Sequence, residues 1–174
     1  MTDFYLILQI ILLILAFSMV VATLSLAPWV PTRNRDLQRV FRLSNLSPGE
    51  VFYDLGSGTG TTVFAAAKIK DVKARGIELA LPLYVFSVIK KVLLGSKQAS
   101  FKWKSLFKED LSEADVIYIF GLPNKLKDKL VNKFQKELKS GSRVVSYVFP
   151  IKGLEPVIVD HPTDQDLSVY VYKF

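Results

Sequence analysis

A chain of 174 residues, half of them hydrophobic, has room for one modest folded domain with an appendage and is too apolar to stay disordered. With no cysteine and a single histidine, His161, it lacks disulfides, thiol nucleophiles and the ligands of the usual zinc clusters. The formal charge of +7 is one-sided, because all 23 basic residues lie at or beyond Arg33; such a domain suits an anionic membrane, a nucleic acid or an acidic protein patch.

Residues 4–27 carry no charge, and only Gln9, Ser18, Thr23 and Ser25 interrupt the apolar run. A helix of that length crosses a bilayer, which takes about 20 residues. Asp3 denies it a basic leading region, and the flank before Pro28 is a poor cleavage site, so an uncleaved anchor is expected rather than a signal peptide. A buried soluble helix would need cover on every side, more than a domain this small supplies. Residues 1–28 therefore read as a transmembrane anchor and 29–174 as the domain it carries. Arg33, Arg35, Arg39 and Arg42 crowd the C-terminal flank while the other flank has no Lys or Arg, which puts the N-terminus outside and the domain in the cytoplasm. Phe4, Tyr5 and Trp29 stand where an aromatic belt would sit.

After the stiff Pro28-Trp29-Val30-Pro31 connection, Leu37, Val40, Phe41 and Ser44 share one helical face, with Arg35, Arg39 and Arg42 largely off it. This helix is expected to cap a sheet next to the membrane surface. Ser47-Pro48-Gly49-Glu50 turns the chain into a buried strand at 51–55, and residues 61–70 have helical spacing. A second strand at 74–78 precedes a helix at 82–92. A third strand at 100–103 and a fourth at 115–120 follow. Leu126, Leu130, Phe134 and Leu138 mark a helix that Gly141 stops, with Lys125, Lys129, Lys133 and Lys136 read as a solvated stripe opposite. Strands at 142–149, 157–160 and 167–174 close the chain, His161 lying in the turn between the last two. Alternating strands and helices with a terminal hairpin predict a three-layer α/β fold, mostly parallel with an antiparallel edge.

The chemistry gathers at Asp54-Leu55-Gly56-Ser57-Gly58-Thr59-Gly60, a strand end leading through three alternate glycines into a helix. Glycines there let the backbone come close to a ligand. The spacing is tighter than the dinucleotide fingerprint, and the leading carboxylate is wrong for a phosphate but right for an ammonium or sulfonium. Glu78 falls at the end of the neighbouring strand, where an acidic side chain accepts ribose hydroxyls. S-adenosylmethionine carries both cations and a ribose. The bland alternative, a purely structural turn, leaves Asp54 and Glu78 unexplained.

With its Asp54-Leu55-Gly56-Ser57-Gly58, Gly76-Ile77-Glu78-Leu79, Phe120-Gly121-Leu122-Pro123 and Phe149-Pro150 segments, and Val30-Pro31-Thr32 ahead of them, the chain resembles the small membrane-anchored protein-lysine methyltransferases. Mitochondrial members of that family modify the c-ring protein of ATP synthase and the adenine nucleotide translocase, and it has prokaryotic relatives. The resemblance implies a class I, seven-strand, Rossmann-like methyltransferase sheet of order 3-2-1-4-5-7-6. It implies cofactor contacts at Asp54, Gly56, Ser57, Gly58, Gly60, Glu78, Leu79, Ser105 and Leu106. It also implies a substrate channel at Phe120, Gly121, Leu122 and Pro123, approached by Thr32. The family commonly has Asp, Arg and Asp where this chain has Thr59, Thr61 and Ser105, and some members have Arg at the position of Val148.

Methyl transfer from a sulfonium needs alignment more than acid-base groups, so the lack of a histidine dyad is no obstacle. A target lysine must first lose its proton, which a desolvating channel beside a positive cofactor favours. The expected partners are the membrane and a membrane-associated protein bearing a lysine. The plasma membrane of a prokaryote is the favoured host, with the mitochondrial inner membrane as the alternative. A lipid-headgroup or quinone methyltransferase, or a non-catalytic cofactor-binding scaffold, would share these features. The basic residues are not interleaved with an aromatic platform, which disfavours nucleic acid.

Overall fold

The structure, a computed structural model, describes residues 2–25, 30–121 and 128–174. Pro28, Trp29, Leu122, Pro123, Lys125 and Leu126, all named above, lie outside the described residues. In chain order the elements are helices α1 (Thr2–Ser25) and α2 (Asn34–Ser44), strand β1 (Val51–Leu55), α3 (Thr61–Ala66), β2 (Lys73–Glu78), α4 (Leu81–Leu94), β3 (Ala99–Trp103), a 3-10 turn (Leu106–Lys108), β4 (Val116–Ile119), α5 (Asp128–Glu137), and β5 (Arg143–Tyr147), β6 (Ile158–Asp160) and β7 (Val169–Lys173).

The strands form one sheet in the order β3-β2-β1-β4-β5-β7-β6, as the family resemblance implied. The first five are parallel; β7 runs antiparallel to both β5 and β6. Alternation along each strand divides the core. Tyr53, Leu55, Ile117 and Ile119 face one side with Leu130 and Phe134 of α5, whereas Phe52, Val116 and Tyr118 face the other with Leu37, Val40 and Phe41 of α2. At the amino-terminal edge the strands are tied by polar contacts. Asp115 accepts from the Val51 amide at 2.8 Å and pairs with Lys139 at 2.6 Å, and Glu50 pairs with Arg143 at 2.7 Å. The opposite, carboxyl-terminal edge of β1, β2 and β4 carries the glycine loop.

Three readings change. The helix expected over 61–70 ends at Ala66, after which the Lys68 and Ile69 amides bond i−3 carbonyls and the chain tightens into turns that bring Val72 into the core. Arg39 does not lie off the packed face; it is buried, 3.4 Å from Asp36 and 2.9 Å from Asp160, the latter an ion pair rather than an aligned hydrogen bond. It also donates to the Leu167 carbonyl, so a guanidinium joins α2 to the β6–β7 connection. Lys133 leaves the solvated stripe as well: its ammonium is buried, pairing with Glu137 at 2.7 Å and donating to the Glu109 carbonyl.

α1 is apolar along its length and almost wholly exposed; its stretch Asp3–Leu24 is long and apolar enough, by length and composition, to cross a membrane.

Candidate active site

The glycine loop folds because its backbone is held from both sides. The Gly56 and Ser57 amides donate to the Ile77 carbonyl at 2.9 and 3.1 Å, fixing the loop against β2. Gly56, Gly58 and Gly60 all have positive φ. At Gly60, with φ of +77°, a Cβ would lie 2.6 Å from the Phe101 ring and 3.0 Å from Phe64, so conformation and space both demand glycine.

Glu78 is the hub. One carboxylate oxygen accepts from the Gly58 amide at 2.7 Å, and the other from the Leu79 and Ala80 amides at 2.8 and 2.7 Å. Three bonds fix the side chain and still leave acceptor capacity on a carboxylate with about four lone-pair sites. Burial pushes its carboxyl above the usual range, and the three amides pull it back.

Asp54, the penultimate residue of β1, lies on the same edge and is only 3% exposed. Burial, then the negative charge of Glu78, push its carboxyl up to about 8, against a hydrogen bond from Thr62 that favours ionisation. Two carboxylates thus share a buried site, and among the described residues neither makes an ion pair. The Ser57 hydroxyl is buried with no hydrogen-bond partner, another polar group pointing to a polar ligand. This donor set fits a cofactor that brings positive charge and hydroxyl groups.

These groups open into a cleft lined by Asp54, Gly56, Ser57, Glu78, Leu79 and Leu106, and also by Thr32 and Phe120. Other expected site residues lie elsewhere. Gly58 and Gly60 shape the loop without lining the cleft. The Ser105 carbonyl starts the 3-10 turn by accepting from Lys108 at 2.9 Å, and Gly121 is buried just past β4. Leu122 and Pro123 lie outside the described residues. Thr59 and Thr61 both line the cleft.

Sequence reasoning missed several lining residues. Tyr118 stands two residues before Phe120, so strand alternation puts both on one face, and its hydroxyl is 2.6 Å from that of Thr32. Burial raises the phenol far above its ordinary range, so Tyr118 stays protonated at neutral pH. Lys104, Thr62, Ala80, Leu83 and, from α1, Met19, Ala22 and Thr23 also line the walls, and nothing in their local sequence marked them. Among the described residues no cluster suits a metal ion.

Bound in such a site, S-adenosylmethionine supplies an activated methyl group on a sulfonium. The chain's own part is to hold that group, exclude water from it and fix the approach of a nucleophile. A seven-strand sheet of this order, with acidic ends on β1 and β2 around a glycine loop, defines an S-adenosylmethionine-dependent methyltransferase of class I.

Comparison with known proteins narrows the class. The ANTKMT methyltransferase domain matches residues 54–158. The protein-lysine N-methyltransferase of Saccharolobus islandicus is 34% identical over 151 residues, 84% of this chain and 92% of that protein. An ATP synthase lysine N-methyltransferase of Caenorhabditis elegans is 29% identical over 84% of this chain and 80% of its own length. The adenine nucleotide translocase lysine N-methyltransferase of Mus musculus is 34% identical over 79% of this chain and 60% of its own length. Among solved structures, an RNA methyltransferase from Salinibacter ruber, crystallised with S-adenosyl-L-homocysteine, superposes with a TM-score of 0.77 at 30% identity, covering 83% of this chain and 93% of that one. The chain belongs to the ANTKMT methyltransferase family.

Proposed function

We propose that this methyltransferase is a protein-lysine N-methyltransferase that α1 anchors in a membrane, with the catalytic domain on the cytoplasmic side of a prokaryotic plasma membrane. Lysine as the target is supported by the relatives, archaeal and animal, that carry that activity in their names. The observation that carries the reading is the cleft itself. It joins the paired carboxylates to a wall of Thr32, Tyr118 and Phe120 that among the described residues holds no acid-base pair but offers aromatic surface that desolvates an amine. Anchoring is supported by the uncharged helix α1 and by the arginines that begin where it ends.

In this reading Asp54 takes the ammonium of S-adenosylmethionine and Glu78 a ribose hydroxyl. The backbone of Gly56 and Ser57 lies along the amino-acid part, and Leu79 and Leu106 flank the adenine, next to Ser105. Gly58 and Gly60 hold the loop in shape. The Tyr118–Thr32 pair closes the inner wall against water, and Phe120 with Gly121 borders the incoming lysine. Holding both partners on one membrane raises their effective concentration without any new contact.

The full chain in bilayers, supplied with radiolabelled S-adenosylmethionine and host membranes, tests this. Label on lysines of a membrane protein, located by mass spectrometry, is expected. Label confined to lipid would replace the reading with a lipid or quinone methyltransferase, and label in RNA would align the chain with its Salinibacter neighbour. Cofactor binding without any transfer would make it a scaffold.

A further inference from the structure

α4 is an oddly dressed helix for the outside of an α/β domain. Its inner side packs on β3 and β2, yet Ser87 is its only fully buried residue. Val85, Phe86, Ile89, Val92, Leu93 and Leu94 all face outward, Val92 and Leu93 with 74% and 80% of their surface exposed. An uninterrupted apolar face of that size on a domain surface marks a place where something other than water sits.

What sits there is decided by α1. α4 is the element against which α1 packs, and within α1 only Leu15, Ser18, Met19, Ala22 and Thr23 are partly covered among the described side chains. At a rise of about 1.5 Å per residue, that contact lies within roughly 14 Å of the end of the apolar stretch. Half the hydrocarbon core of a bilayer is about 15 Å thick. A helix packed there cannot stand clear of the membrane that α1 crosses. Lys90 and Lys91, three and four residues after the buried Ser87, lie off that face, Lys90 with its ammonium 5.0 Å from the centre of the Phe64 ring, whereas the exposed Lys97 follows the helix, a long side chain able to reach anionic headgroups while the neighbouring Leu and Val side chains stay down. Trp103, beside the start of α4, is exposed and donates its indole N–H to the Leu79 carbonyl at 2.9 Å, an aromatic suited to the interface.

We infer that α4 is a second membrane-contacting element, its outer face seated at the acyl–headgroup boundary of an anionic bilayer beside α1. The inference rests on the reading of α1 as a membrane span. Its consequence is positional: Ala80 and Leu83, at the start of α4, share the walls of the cleft with Met19, Ala22 and Thr23, so the cleft opens at the bilayer surface. A target lysine is taken within the headgroup layer rather than from the aqueous phase.

The chain has no cysteine, so single-cysteine variants of the full protein take a nitroxide label cleanly. Leu13→Cys reports on α1, Leu93→Cys on α4, and Lys68→Cys on the exposed turn after α3. In nanodiscs containing phosphatidylglycerol, power saturation with oxygen and with an aqueous nickel reagent gives the depth of each label. The expected result is Leu13 in the hydrocarbon, Leu93 at the boundary and Lys68 in water, with Leu93 moving toward water when the bilayer is purely zwitterionic. Leu13 in hydrocarbon with Leu93 in water overturns the inference and leaves the anchor standing. Both labels in water overturn the anchor, and the inference with it. A Leu93 label shielded from both reagents and broadened by a second spin shows another copy of the chain covering α4, which also overturns it. An unchanged Leu93 depth in zwitterionic lipid overturns the preference for anionic headgroups.

Discussion

The buried carboxyl of Asp54 makes cofactor binding depend on pH. In the ligand-free protein it titrates near 8, because burial and the neighbouring charge of Glu78 oppose its ionisation. A cofactor bearing an ammonium and a sulfonium reverses that preference, so binding draws the proton off Asp54. With only the ionised form competent, the observed affinity follows the ionised fraction, rising close to tenfold per pH unit below 8 and about 25-fold between pH 6 and 7.5. About 0.9 proton should leave on binding at pH 7. That window stays below the ordinary titration of the ligand's own α-amino group, near 8. Isothermal calorimetry with S-adenosylmethionine, in two buffers of different ionisation enthalpy, measures both quantities. A flat affinity with no proton release, or the same slope in Asp54→Asn, would refute the reasoning.

Asp54 also shapes the stability of the ligand-free protein. Its folded-state pKa is raised, so the stability it contributes is whole below about pH 4 and is lost as pH rises toward 8. Asp54→Asn should therefore raise Tm at pH 8 more than at pH 5 while weakening cofactor binding, as differential scanning fluorimetry and calorimetry would show. Gly60→Ala meets both a positive φ and the Phe101 ring; a loss of roughly 2 kcal/mol with weakened cofactor binding is expected in urea unfolding and titration. Arg39→Ala leaves Asp36 and Asp160 without their buried cation and should cost roughly 3 kcal/mol in the same unfolding experiment, with cofactor affinity little changed.

Why the fold was legible and parts of the site were not follows from how local each signal is. The strands reveal themselves by short apolar runs, and the order of the sheet follows from a family resemblance anchored on the glycine loop. Asp54 and Glu78 were visible because each lies at or next to the end of a strand, a position that chain spacing alone indicates. The Tyr118–Thr32 contact joins residues far apart in the chain, and Thr62 reaches Asp54 only through the packing of α3 on β1, so neither leaves a local pattern. Arg39 and Lys133 misled for a related reason. A basic residue on an amphipathic helix looks solvated until the acidic or carbonyl partner arrives from another element, here Asp160 and Glu109. α4 did carry a sign, apolar residues on nearly every side of the helix, but in an α/β pattern that reads as an ordinary covering helix.

The part played by α1 in the cleft separates two views of that helix. As a tether it could be exchanged for any span of equal length, whereas as a wall its Met19, Ala22 and Thr23 positions matter individually. Ala22→Leu keeps the helix as apolar as before, so insertion should not change, but it adds three carbons to a half-covered position at the cleft. Overpacking of that kind costs about 1–3 kcal/mol, equivalent to roughly 5- to 150-fold. Placed at the mouth rather than at Asp54 or Glu78, the cost should fall on kcat/KM for the membrane-protein substrate, with S-adenosylmethionine affinity within about twofold of the parent. Steady-state kinetics in nanodiscs, with alkaline extraction to confirm insertion, makes the comparison. Equal kcat/KM in parent and Ala22→Leu would reduce α1 to a tether; a loss shared equally by cofactor binding would move the wall from the substrate's side of the cleft to the cofactor's.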